Sequence, residues 1–105
     1  MSHWIAVAKL EDCPPGAALE AVAGERIVAV YNCAGEIYAL DGVCPHQGGP
    51  LGRGALAGCI VTCPWHGWQF DVRDGGRQLS ASVRQPSFPT RVVDGAIEVD
   101  VAPPA

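Results

Sequence analysis

Two cysteines and two histidines stand at a spacing that can hold metal. They are Cys44-Pro45-His46 and Cys63-Pro64-Trp65-His66, with residues 47–62 between them. A thiolate and a neutral imidazole are both strong ligands for transition metals. Each hook offers one of each. Zinc accepts such a set as a single tetrahedral ion. A [2Fe–2S] cluster accepts it with two cysteines on one iron and two histidines on the other. Zinc fingers usually place two cysteines in one hook and two histidines in the other. The mixed hooks here suit a two-iron clamp, in which each loop reaches both irons. Gly48, Gly49 and Pro50 follow the first hook and Gly67 follows the second. Such composition lets backbone come close to a charged group, although ordinary turns use the same residues.

The remaining composition narrows the context. The chain has 105 residues, 49% of them hydrophobic, and a net charge of −4. This length predicts one domain spanning 1–105, with a modest core and no room for a second catalytic unit. No basic cluster is present, which argues against nucleic acid as a partner. Mild acidity suits a carrier that docks on a basic surface, and is equally the default of a cytosolic protein. No apolar run approaches the length of a membrane span, so no membrane partner is expected. The N-terminus shows no secretory or twin-arginine pattern, which predicts a cytoplasmic location. Five cysteines cannot all pair within one chain. In a reducing compartment, metal binding is the better reading of Cys44 and Cys63. Cys13, Cys33 and Cys59 lie outside the hooks and are expected to be small core or surface residues.

Short β segments must position the hooks. Trp4–Leu10 reads as a strand ended by Pro14, Pro15 and Gly16. Ala17–Val22 reads as a strand or as the start of a helix. Arg26–Asn32 is rich in β-branched residues and, through the turn at Ala34-Gly35, forms a hairpin with Glu36–Asp41. Loops are expected over about 43–50 and 63–68, with a short strand and turn within Leu51–Ala57. Cys59–Thr62 runs as a strand into the second hook, and Gln69–Val72 leads away to a turn at Asp74-Gly75-Gly76. Residues 77–90 have no clear period and read as mostly loop. Arg91–Val93 and Ala96–Val101 close the chain as a hairpin about Asp94-Gly95, with Ile97, Val99 and Val101 on one face. The tail, 102–105, is expected to fray. Many short strands with Gly/Pro turns predict an all-β sandwich or barrel.

The hooks and their flanks resemble one family, the Rieske iron–sulfur proteins. The runs Cys44-Pro-His-Gln-Gly-Gly-Pro-Leu51 and Cys63-Pro-Trp-His-Gly-Trp-Gln-Phe-Asp71 carry the likeness, which extends over about residues 3–101. The resemblance implies an antiparallel β-sandwich with a small cluster-binding subdomain made of two loops. It implies one Rieske-type [2Fe–2S] cluster, with Cys44 and Cys63 on the inner iron and His46 and His66 on the outer iron. With only two thiolates the oxidised centre is formally neutral, so an electron enters more easily than in an all-cysteine cluster.

The same resemblance suggests a branch. High-potential relatives carry a disulfide between the two loops, but the corresponding positions here are Gly49 and Trp65. Those relatives also place a serine and a tyrosine hydroxyl beside the cluster, where this chain has Trp68 and Phe70. Losing hydrogen bonds to the sulfurs destabilises the reduced form. The expectation is a midpoint near the lower end of a family range of roughly −150 to +300 mV. The outer nitrogens of His46 and His66 should then titrate above neutrality. Trp65 and Trp68 serve as cover for the cluster or as docking surface, and cover is expected for at least one. Pro86 could belong to a third loop that closes over the cluster. His3 reads as a surface residue.

The function implied is a soluble one-electron carrier from a flavin-containing NAD(P)H reductase to a terminal ring-hydroxylating oxygenase. Docking would be transient, with no catalytic residue and no small-molecule substrate. A rival is the small Rieske-like subunit of an assimilatory NAD(P)H nitrite reductase. A more distant rival is a zinc-stabilised interaction module, which would be colourless.

Overall fold

The computed structural model describes residues 2–43, 49–65, 67–78 and 84–101. Among the described residues, ten strands form three antiparallel sheets. Strands β1 (Trp4–Lys9), β9 (Thr90–Val93) and β10 (Ala96–Asp100) make the first sheet, in the order β1-β10-β9. Strands β2 (Ala18–Ala23), β3 (Arg26–Cys33), β4 (Glu36–Asp41) and β8 (Ser87–Phe88) make the second, in chain order. Strands β5 (Ala55–Ala57), β6 (Ile60–Thr62) and β7 (Gln69–Asp71) make a third, small sheet.

The four-stranded sheet is the middle of the molecule because β3 is apolar on both faces. Val28 and Val30 face one core with Cys13, Ala21 and Ile97, and Ile5 and Val7 pack against it. Ala29, Tyr31 and Cys33, the alternate residues, face a second core with Leu51, Val61, Cys63 and Phe70. A strand covered on both sides needs a nearly continuous apolar run, which Ile27–Tyr31 supplies. On β10, Ile97 and Val99 are fully buried while Glu98 and Asp100 keep some exposure, as the alternation predicts.

The hairpin turns follow from the residues in them. Asp94 (φ 50°) and Gly95 (φ 78°) both take positive φ between Val93 and Ala96, the geometry that suits the twist of two strands. Ala34 (φ 54°) and Gly35 (φ 97°) do the same between β3 and β4.

The structure resolves one open reading and refines three others. Ala18–Ala23 is a strand, paired along its full length with β3, and not a helix start. Residues 77–90 are not all loop: Ser87 and Phe88 extend the middle sheet beside Leu40 and Ala39. Two residues are too few to show a period, so pairing with β4 decides them. The two-loop subdomain rests on a sheet of its own, β5-β6-β7. Finally, Cys33 and Cys59 are neither free core nor surface thiols: they form a disulfide, with 5.4 Å between their Cα atoms. The tail 102–105 lies outside the described residues.

Candidate metal centre

The small sheet delivers the second hook. Strand β6 ends at Thr62, and Cys63 follows with its side chain in the core shared by the small and middle sheets. Cys63 is a free thiol with only 2% of its surface exposed. Its N–H donates to the Trp68 carbonyl (2.8 Å), and its carbonyl accepts from the Gly67 N–H (3.1 Å). The second loop is thereby closed on itself, with Gly67 at φ +74° where a side chain would be strained.

The described residues that flank the first hook form an equally definite base. Val43 and Pro50 pair as an isolated bridge, and the Leu51 N–H donates to the Gly42 carbonyl (3.0 Å). Leu51 is fully buried, and the Tyr31 hydroxyl donates to its carbonyl (2.9 Å). Gly49, the last residue before Pro50, passes directly over the second hook. A Cβ there would lie 2.8 Å from Cys63 Sγ and 3.1 Å from Trp65 Cγ. The fold therefore brings the end of the first loop against the sulfur of the second.

Of the four sequence-predicted ligands, Cys63 is described; Cys44, His46 and His66 lie outside the described residues, as does Gly48. The described part fits a metal cluster. A buried free thiol is presented at a strand end, and the opposing loop has no Cβ where that sulfur must be approached. Soft thiolate chemistry suits iron–sulfur centres.

The segment after the small sheet ties both loops together, and sequence reasoning gave no weight to its main residue. Gln85 is only 2% exposed. Its side-chain amide donates to the Asp41 carbonyl (2.7 Å) and the Val43 carbonyl (2.6 Å), at the base of the first loop. Its N–H donates to the Gly75 carbonyl (2.7 Å), just beyond the second. A Cβ on Gly75 would overlap the Gln85 carbonyl, so this crossing needs glycine. Pro86 accepts from the Asp41 N–H (2.8 Å), which places it beside the first loop's base. No signal in the sequence marks Gln85, because a single polar residue in an irregular stretch has no period.

The two tryptophans have different surroundings. Trp65 is 57% exposed. Trp68 is half-buried, its ring centroid 6.5 Å from that of fully buried Phe70, and the Arg77 guanidinium lies 3.3 Å over it. Arg77 Nε is buried with no hydrogen-bond partner among the described residues, so the ring face takes its charge. Asp71, at the end of β7, accepts from Arg73 through both carboxylate oxygens (3.0 and 2.7 Å). That hydrogen bonding holds its carboxyl below the usual carboxylate range. Burial pushes the Cys13 thiol up, away from metal-binding thiolate. His3 is exposed at the chain end, and its N–H donates to Asp100 Oδ1 (2.8 Å).

Three antiparallel sheets, with a small one presenting a free cysteine against the end of the opposing loop, define an all-β fold with a candidate metal centre. The description of the Rieske [2Fe-2S] domain matches residues 3–89, and the chain belongs to that family. The ferredoxin component of the naphthalene 1,2-dioxygenase system of Pseudomonas aeruginosa is 33% identical over 101 residues, spanning 94% of this chain and 96% of that one. Among solved structures, a chain of the complex of reduced oxygenase and oxidised ferredoxin in carbazole 1,9a-dioxygenase superposes with a TM-score of 0.82. It is 29% identical, with 92% of each chain covered. A Mycobacterium tuberculosis protein described as a nitrite reductase small subunit shares the fold, with a TM-score of 0.88 at 23% identity and 99% of each chain covered. The group this family binds is one Rieske-type [2Fe–2S] cluster, and the donor chemistry and close approach at Cys63 suit it.

Proposed function

We propose that this chain is the ferredoxin component of a multicomponent oxygenase system: one domain, 1–105, that passes single electrons from a flavin-containing reductase to a terminal oxygenase. The observation that carries the reading is the near end-to-end match to the naphthalene dioxygenase ferredoxin component. The chain is an electron carrier and not itself a catalyst. Cys44, His46, Cys63 and His66 would hold the cluster, which when bound accepts and releases one electron.

The chain's own residues prepare that exchange. Cys63 is kept from water by Leu51, Val61 and Phe70 around it. Its backbone is fixed on both sides by Trp68 and Gly67, so little reorganises when charge changes nearby. Phe70 is fully buried and offers no hydroxyl to the sulfurs. That supports a low-potential centre. Trp65 projects to solvent beside Gly49, where a partner protein would meet it, and Trp68 packs inward as cover.

No described helix is long and apolar enough to cross a membrane. A cytoplasmic location agrees with the reducing conditions in which reductase and oxygenase components work.

Purified protein should be red-brown and, after reduction, give a Rieske-type EPR signal with a midpoint below about +100 mV. A colourless zinc protein or a midpoint above that value overturns the reading. Stable co-purification with a large sirohaem–flavin protein, instead of transient docking on an oxygenase, would assign the chain to nitrite reduction.

A further inference from the structure

Cys33 and Cys59 occupy a position that no ligand role explains. Cys33 ends β3 in the middle sheet. Cys59 lies in the turn between β5 and β6 of the small sheet. Their bond crosses the core that these two sheets share, the core that also contains Cys63. The segment it closes, 33–59, includes the whole first loop. Cys59 stands four residues before Cys63 on the same strand path. A single covalent link thus spans the joint between the scaffold and the sheet that carries the second hook.

We propose that Cys33 and Cys59 are a reversible thiol–disulfide site, opened by a low-molecular-weight thiol and closed by a low-molecular-weight disulfide such as glutathione disulfide, whose closure holds the cluster-bearing sheet against the middle sheet. The proposal rests on the cytoplasmic reading above, since bridges in a reducing compartment are usually transient or sensing. Exposure selects the reacting atom. Cys13, Cys33 and Cys63 are 0%, 6% and 2% exposed, whereas Cys59 is only half-buried, at a turn beside Gly58.

In the opening direction, an external thiolate attacks the Cys59 sulfur. The bond between the two cysteines breaks, Cys33 leaves as thiolate and takes a proton, and Cys59 is left in a mixed disulfide. A second external thiolate attacks the external sulfur and releases Cys59. The sum is one protein disulfide and two thiols giving two cysteine thiols and one external disulfide, a transfer of two electrons and two protons. Closing is the reverse: Cys59 thiolate attacks the external disulfide, then Cys33 displaces the second external thiol. In the open state the small sheet is held to the middle sheet by packing and through Gln85, which bonds Gly75 beyond the small sheet and Asp41 at the end of the middle one. It should open locally more often, and its metal should be lost more readily.

The test uses cluster-loaded wild-type protein equilibrated in glutathione buffers of stepped ratio, acid-quenched, alkylated and digested with trypsin. Arg26, Arg53 and Arg73 bound two peptides, 27–53 and 54–73, which a closed bridge joins. Tandem mass spectrometry locates the join, and Cys33→Ser removes it as a control. The expected result is a 33–59 link that appears and disappears with the glutathione ratio. In the same samples, chelator should bleach the visible circular dichroism several-fold faster when the bridge is open. A link absent at every ratio, a link that excess reduced glutathione never opens, or equal bleaching rates in the two states would each overturn the proposal. The link assay reads cysteines alone, so it stands even if the metal proves not to be a [2Fe–2S] cluster.

Discussion

Gly49 lies so close to Cys63 that a methyl group on its Cα would sit 2.8 Å from the Sγ of that cysteine. The two residues belong to different loops, and each loop is closed at its base by its own backbone bonds. The sulfur is therefore flanked by a backbone that has no side chain to offer.

Gly49→Ala should accordingly damage the site more than the fold. Overpacking a tight contact typically costs about 1–3 kcal/mol, and here the displaced atom is a ligand candidate. The iron content per chain should fall well below that of wild type. Gly67→Ala, which meets open space and suffers only its positive φ, should lose about 1–2 kcal/mol of stability while retaining more iron. Metal analysis and thermal melts of both variants check this.

Gln85 acts as a strap across the two loops. Gln85→Ala leaves the carbonyls of Asp41 and Val43 without their amide donor. A loss of about 1–3 kcal/mol is expected. The urea midpoint should fall with little change in slope, and hydrogen exchange should quicken at residues 41–43 and 50–51.

Arg77 and Trp68 form a stacked pair whose worth can be separated from ordinary surface charge. Arg77→Gln removes the cation from the ring and should cost about 1–2 kcal/mol, with a shift in tryptophan fluorescence. Arg84→Gln, which removes an exposed pair at 4.0 Å with Asp74, should cost less than about 1 kcal/mol.

Asp71 supplies an acid-sensitive contribution. Its carboxyl is held below the ordinary range by hydrogen bonds from Arg73. A lowered folded-state pKa means that the unfolded chain binds the proton more tightly. The stabilisation is thus complete above the unfolded value of about 3.9 and is lost as pH falls through the lower folded value. Urea midpoints of wild type and Asp71→Asn should converge toward acid and separate above about pH 4.

The strands that were legible in advance are those with their own pattern. Ile97, Val99 and the polar residues between them alternate cleanly, and Asp94-Gly95 marks the turn before them, so β9 and β10 needed no partner to be read. The strand β3 was legible for the opposite reason, a run apolar on both faces. Ala18–Ala23 remained open between strand and helix because alanine and glutamate favour neither strongly enough. Pairing with β3 resolved it. Ser87-Phe88 and Gln85 carried no pattern at all.

The amino-acid sequence by itself pointed to the family and to two mixed Cys/His hooks as its candidate ligands, because ligand chemistry depends on residue type and short spacing, both of which are local. Only the tertiary structure decided what surrounds the described part of the candidate site. It placed Gly49 against Cys63, turned Trp68 inward under Arg77 while leaving Trp65 exposed, and joined Cys33 to Cys59 across two sheets. Each of these contacts depends on how three sheets pack, and packing is a property of residues far apart in the chain.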